Sequence, residues 1–174
     1  MKYNVAQLLK GAIGGTRHYL VERELVSNVN PDALEAISVS GQIHFLRTRA
    51  GILVTGQVHA TVTVPCSRCL EPTSVELIAT IEEEFKPTID ILTGGKLAVE
   101  EEDRALLIDE HHILNMTEVI RQALALAWPM HPLCRPDCAG LCPECGHNLN
   151  EGPCGCTVDQ VDPRWAALRA LILT

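Results

Sequence analysis

A chain of 174 residues holds one full domain and a small appended module, which excludes two large domains. Its 47% apolar content supplies a packed core without disulfides, and its 3% aromatic content makes that core aliphatic. A formal net charge of −8 excludes a general polyanion binder, because such proteins displace counterions with Lys and Arg.

Any nucleic-acid contact is therefore local. Arg47, Arg49 and Arg68 can cluster at one end of a sheet, and Arg164 and Arg169 can share a helix; scattered solvated arginines are the simpler reading. The opening residues MKYNVAQLLKGAIGG show neither the continuous apolar segment nor the small-residue cleavage site of a signal peptide. The uncharged run Gln122 to Cys134 is too short to span a bilayer and contains Pro129 and Pro132. These features predict a cytoplasmic protein with no membrane partner. In a reducing compartment its eight cysteines point to metal and not to a disulfide framework.

In chain order, Asn4 to Lys10 predicts one or two helical turns, stopped by Gly11 and Gly14-Gly15. Arg17 to Val26 reads as a strand with Tyr19, Val21 and Leu25 on one side, and Asn30-Pro31-Asp32 marks a turn. Three segments of two-residue periodicity follow. Ile37, Val39, Ile43 and Phe45 form the apolar row of the first; Val54, Val58, Ala60, Val62 and Val64 that of the second; Val75, Leu77, Ala79, Ile81 and Phe85 that of the third. Half-buried antiparallel strands look this way. Pro65 to Pro72 joins the last two and places Cys66-Ser-Arg-Cys69 at the tip of a hairpin.

Residues 86 to 109 lose the alternation, contain Glu100-Glu101-Glu102-Asp103 and read as a mobile, solvated acidic loop. His111 and His112 begin a short extended piece in which they would face opposite ways. Asn115 to Glu118 has the spacing of a capping box. The helix it opens runs to about Ala127, apolar around most of its circumference and so buried on the sheet, and Trp128-Pro129 ends it. A final helix starts at Asp162-Pro163, with Trp165, Leu168 and Ile172 as its apolar stripe. The predicted class is α+β. An antiparallel β-meander or partly closed barrel with a buried helix fills residues 1–130, and a zinc-binding cysteine module with a terminal helix fills 131–174.

The stretch CRPDCAGLCPECGHNLNEGPCGC, Cys134 to Cys156, concentrates six of the eight cysteines. Thiols two and three residues apart turn their sulfurs toward one point, and a soft divalent ion such as Zn2+ takes four of them. In Cys142-Pro-Glu-Cys145-Gly146, Pro143 stiffens the turn and Gly146 permits the positive φ of a metal knuckle. Eight thiols suit two ions. The preferred partition groups Cys142 and Cys145 with Cys154 and Cys156, leaving Cys66 and Cys69 to meet Cys134 and Cys138. A rival groups Cys134, Cys138, Cys142 and Cys145, so that Cys154 and Cys156 reach the hairpin. His131 and His147 are reserve ligands, made bystanders by the supply of thiols. Little is apolar between Arg135 and Asp159, so the module is expected to order only around metal.

No catalytic residue is predicted. The chain has no phosphate-cradling Gly-rich loop, no G-x-S-x-G and no H-E-x-x-H. A catalytic zinc keeps an open position that a four-thiolate site lacks. A thiol redox protein using Cys66 and Cys69 is the alternative, yet dithiol oxidoreductases place such a pair at a helix N-terminus in a βαβ unit, not between alternating strands. A zinc-ribbon adaptor in transcription is a further alternative.

The combination of VAQLLKGAIGGTRHY, VPCSRCLEP, ALAWPMHPLC, C-x3-GLCPECGHNLN with its trailing C-x-C, and DPRWAALRALI resembles the YceD family (domain of unknown function 177), described as large ribosomal RNA subunit accumulation proteins. The resemblance implies a non-enzymatic zinc-binding factor of ribosome biogenesis. Its expected partner is pre-ribosomal RNA or a large-subunit ribosomal protein, with no small-molecule substrate.

Overall fold

Apolar residues at every second position cannot all be buried unless the chain extends, and the long strands obey that rule. A computed structural model describes residues 1–31, 36–98 and 101–156, without the side chains of 101–103. Strands β2 (Thr16–Val26), β3 (Ile37–Arg47), β4 (Ile52–Pro65) and β5 (Pro72–Pro87) form an antiparallel meander. Their inward rows, among them Ile43, Phe45, Val54, Val58, Leu77 and Phe85, are fully or almost fully buried.

Three short strands extend the sheet: β1 (Lys2–Asn4), β6 (Leu107–Ile108) and β7 (Ile113–Asn115). The order is β1-β7-β6-β5-β4-β3-β2, with one parallel contact, Lys86 opposite Leu107 and Pro87 opposite Ile108. The sheet curls until its outermost strands meet. Tyr3 on β1 lies 4.8 Å, ring centre to ring centre, from Tyr19 on β2, and 5.3 Å from Phe45 on β3. Helix α1 (Ala6–Lys10) buries Leu8 and Leu9, and helix α2 (Thr117–Leu126) buries Val119, Ile120 and Leu124.

The fold is accordingly a curled half-barrel, mostly sheet, and the helical share implied by an α+β class is small among the described residues. The predicted helix from Asp162 lies outside them.

Five local expectations need correction. In β2, Val21 faces Gly41 but Glu24 faces Val39, so one extra residue sits in this strand. Such a bulge reverses the facing of every later residue in the strand. Val26 is buried and Leu25 is 67% exposed, although the sequence set Leu25 with Val21. Arg23 takes up the bulge at a φ of 49°.

The capping box is not formed. Asn115 Oδ1 accepts from the Thr117 N–H (3.1 Å), but Met116 occupies the cap and the Glu118 carboxylate turns forward. Arg121 donates to it through Nε (2.9 Å) and Nη2 (2.6 Å), and Gln122 through Nε2 (2.8 Å). Those bonds, Arg121 first, hold the carboxyl down to about 2. Nor is α2 buried around most of its circumference, since Leu126 is 89% exposed.

Residues 88–98 are ordered by a turn in which Asp90 Oδ1 accepts from the N–H groups of Leu92 (2.9 Å) and Thr93 (2.7 Å), beside a bridge between Ile89 and Lys96. A 3-10 helix, Glu101–Leu106, leads into β6. His112 has a φ of 60° and belongs to the turn before β7, not to a strand.

The backbones of β3 and β4 come close at two glycines. A Cβ on Gly41 would stand 2.2 Å from the Gln57 carbonyl oxygen, and one on Gly56 would stand 2.3 Å from that of Gln42. Only glycine tolerates two such approaches. Gly56→Ala is therefore expected to cost about 1–3 kcal/mol, read as a lower urea midpoint at fixed metal content.

Candidate metal centres

Pro65 and Pro72 close the β4–β5 hairpin as a facing pair. At its tip the Cys66 N–H donates to the Glu71 carbonyl (2.9 Å) and the Leu70 N–H donates to the Cys66 carbonyl (3.0 Å). The distal C-x2-C repeats this turn bond for bond: the Cys142 N–H donates to His147 (2.8 Å) and the Gly146 N–H to Cys142 (2.9 Å). Both turns carry a left-handed residue just past their second cysteine, Leu70 at a φ of 62° and Gly146 at 71°.

This turn points backbone N–H groups at its first sulfur. The Arg68 N–H lies 3.5 Å from Cys66 Sγ. Backbone donors at Cys69 and Arg68 hold the Cys66 thiol down to about 6, and those at Cys145 and Glu144 hold Cys142 down to about 7.

Chain topology then brings distant thiols to the tip. The Ser67 N–H donates to the Pro132 carbonyl (2.8 Å) and Arg68 Nη1 to the Cys138 carbonyl (2.8 Å). Cys66 Sγ stands 3.8 Å from Cys138 Sγ, and Cys69 Sγ 3.6 Å from Cys134 Sγ. The four sulfurs lie within 4.8 Å of one another, as do those of Cys142, Cys145, Cys154 and Cys156. A tetrahedral ion with thiolates at about 2.3 Å sets its sulfurs about 3.8 Å apart, whereas a disulfide needs about 2.05 Å. Both tetrads therefore fit a metal ion. The rival grouping is not the one gathered, and His131 and His147 belong to neither tetrad.

The protonation pattern agrees with that donor set. Cys134 keeps contact with solvent as a residue, yet desolvation of its sulfur, then hydrogen bonding with Cys138 and Cys69, pushes it up to about 12. Hydrogen bonding with Cys145, followed by burial, pushes Cys156 up to about 12. Each tetrad thus pairs a thiol primed to ionise with one that resists, because neighbouring negative sulfurs oppose each other's ionisation. A divalent cation removes the conflict.

Asn150 was not singled out from the sequence. Its Nδ2 donates to Cys138 Sγ (3.4 Å) and to Asn148 Oδ1 (2.8 Å), while its Oδ1 accepts from the Ala139 N–H (2.8 Å) and Arg135 Nη2 (2.6 Å). It ties the loop of the second tetrad to a sulfur of the first. The only signal was composition: two asparagines in the GHNLN run, a turn-forming type that bonds backbone nearby.

A family model described as Large ribosomal RNA subunit accumulation protein YceD matches residues 54–172. The chain belongs to the YceD family. Within the YceD match fall the hairpin and both tetrads, while β1 to β3 precede it. An uncharacterized protein of Mycobacterium tuberculosis is 39% identical over 118 residues, 68% of this chain and 54% of that protein. One from Mycobacterium leprae is 31% identical over 121 residues, 70% of this chain and 53% of that protein. The chloroplastic Large ribosomal RNA subunit accumulation protein YCED homolog 1 of Arabidopsis thaliana is 25% identical over 158 residues, 79% of this chain and 49% of that protein. The chain spans about half the length of the curated relatives it matches. No solved structure matches. Among the described residues, no helix is long and apolar enough to cross a membrane.

The paired turns generate a test. A left-handed non-glycine residue costs about 1–2 kcal/mol, so Gly146→Leu should lower stability by that amount and Leu70→Gly should raise it by about 1 kcal/mol. Denaturant titration of the metal-loaded variants reads both.

Proposed function

We propose that this YceD-family chain is a non-enzymatic factor for large-subunit ribosomal RNA accumulation, stabilised by two Zn2+ ions and working in the cytoplasm. Cys66, Cys69, Cys134 and Cys138 hold one ion; Cys142, Cys145, Cys154 and Cys156 hold the other. Thiolate softness and tetrahedral spacing favour zinc among the common divalent metals, and such sites contribute on the order of 10 kcal/mol to the folding of small modules. Zinc here supplies structure: it fixes the hairpin tip against residues 132–138. Residues 1–130 act as the β-domain and 131–174 as the clamp. The direct partner is pre-ribosomal RNA or a large-subunit ribosomal protein. The net charge of −8 confines an RNA contact to a local patch and favours a basic protein.

The observation that carries this reading is the pair of four-thiol clusters in a chain whose family is named for ribosomal RNA accumulation. Depleting the protein is expected to lower mature large-subunit RNA relative to small-subunit RNA, with its precursors rising. Unchanged levels of both on an RNA gel overturn the reading.

The low-lying Cys66 thiol favours a second reading, dithiol redox chemistry at Cys66 and Cys69. Alkylation of the native protein separates the two. Zinc binding predicts that all eight thiols resist iodoacetamide until a chelator is added, whereas rapid labelling of Cys66 beforehand would establish the redox reading.

A further inference from the structure

Among the described residues, strand β5 has a partner strand on one side only for most of its length. β4 pairs with it from Pro72 to Phe85, but on the other flank β6 meets it only at Lys86 and Pro87. Pro65 and Pro72 lack N–H groups, so their facing pair cannot exchange backbone hydrogen bonds, and the Cys66 N–H bond to Glu71 fixes the same phase. Antiparallel pairs alternate. Odd-numbered β5 residues therefore bond to β4, while Glu76, Ile78, Thr80 and Glu82 aim their N–H and C=O groups away from it. Among the described residues no strand receives them.

That open edge runs beside α2. Between them lies a groove of about 310 Å3 whose walls include Ile78, Thr80, Glu82 and Glu83 of β5 and Gln122 and Leu126 of α2. Ile78 is 50% and Leu126 89% exposed. An edge strand lying next to a helix is a seat for an extended peptide, which adds one strand to the sheet and lays alternate side chains against the helix.

We propose that the β5 edge binds an extended segment of a basic protein by strand addition, with apolar residues toward Leu126 and Ala123 and Lys or Arg toward Glu76 and Glu82, which share the other face of the strand. The charge on the groove selects among occupants. Glu82 and Glu83 form no ion pair with the described residues, and Glu76 stands only 3.5 Å from a half-exposed His59. These carboxylates repel RNA. A second copy pairing along the same edge would set the glutamates at 76, 82 and 84 among their counterparts, an arrangement that natural edges use to prevent self-pairing. A cationic peptide meets no such cost. This deepens the ribosome-assembly reading, on which it rests for the biological identity of the partner.

The test uses the whole metal-loaded chain and a fluorescent octapeptide alternating lysine with valine. Its glutamate–valine counterpart, its analogue N-methylated at alternate residues and an oligouridylate serve as the other arms, all read by anisotropy. The lysine–valine peptide is expected to bind at least about tenfold more tightly than each of them. Thr80→Pro removes an N–H that faces the groove and spares the β4 ladder, so it should abolish binding at unchanged zinc content. Glu82→Lys, an exposed change with no bearing on the core, should weaken binding about tenfold. Equal binding of the N-methylated peptide, preference for the oligouridylate, indifference to both variants, or a dimer that either variant dissolves would each overturn the proposal. In depleted cells, restoration of large-subunit RNA by both variant chains sinks the edge proposal alone. Normal RNA after depletion sinks the assembly reading alone, because the peptide measurement stands apart from it.

Discussion

Four sulfurs held within 4.8 Å is an arrangement that protons alone do not satisfy well. If all four ionise they repel, and if none does their lone pairs face one another. The hairpin tip is held to the segment from Pro132 to Cys138 by hydrogen bonds from Ser67 and Arg68, and a cation at each tetrad would settle that conflict. Arg68 and Asn150 complete the connection. One reaches from the tip to the Cys138 carbonyl, and the other reaches from the distal loop to the Cys138 sulfur. Removing charge compensation would free the very segments these two side chains connect.

Among the described residues, no strand pairs with the outer flank of β5 except at its end. One end continues into the thiol-bearing tip, and the other is held by β6 through Lys86 and Pro87. Gly41 and Gly56 let β3 and β4 approach closely, and α2 buries Val119, Ile120 and Leu124.

Much of this was legible in the sequence, for a definite reason. β3, β4 and β5 are long and wet on one face, so Val58, Ala60, Val62 and Val64 announce their strand by alternation alone. The distal thiols stand close enough together for a local group to be readable. Features that depend on context were not. The bulge at Arg23 changes which face Leu25 takes, and nothing in ERELV records an unpaired residue. β1, β6 and β7 are two or three residues long, too short to carry a period, and exist because a partner strand is present. Glu118 has the spacing for a cap but finds Arg121 one turn ahead, a stronger partner than a backbone N–H. Leu70 is the opposite of legible: a bulky residue in a left-handed turn, at a place where glycine would have signalled the geometry.

The separation between the halves of the first tetrad sets an order of events on the ribosome. Cys69 is made 65 positions before the cysteine it stands beside, and Cys66 precedes Cys138 by 72. At ordinary elongation rates that gap lasts about 3–14 s, long enough for the hairpin to form with bare sulfurs at its tip. Nascent chains therefore pass through a stage in which two reactive groups wait for an ion and for their other halves. An ion held by all four thiols of the first tetrad can be captured only after Cys138 is made, and until then the two bare sulfurs are open to oxidation.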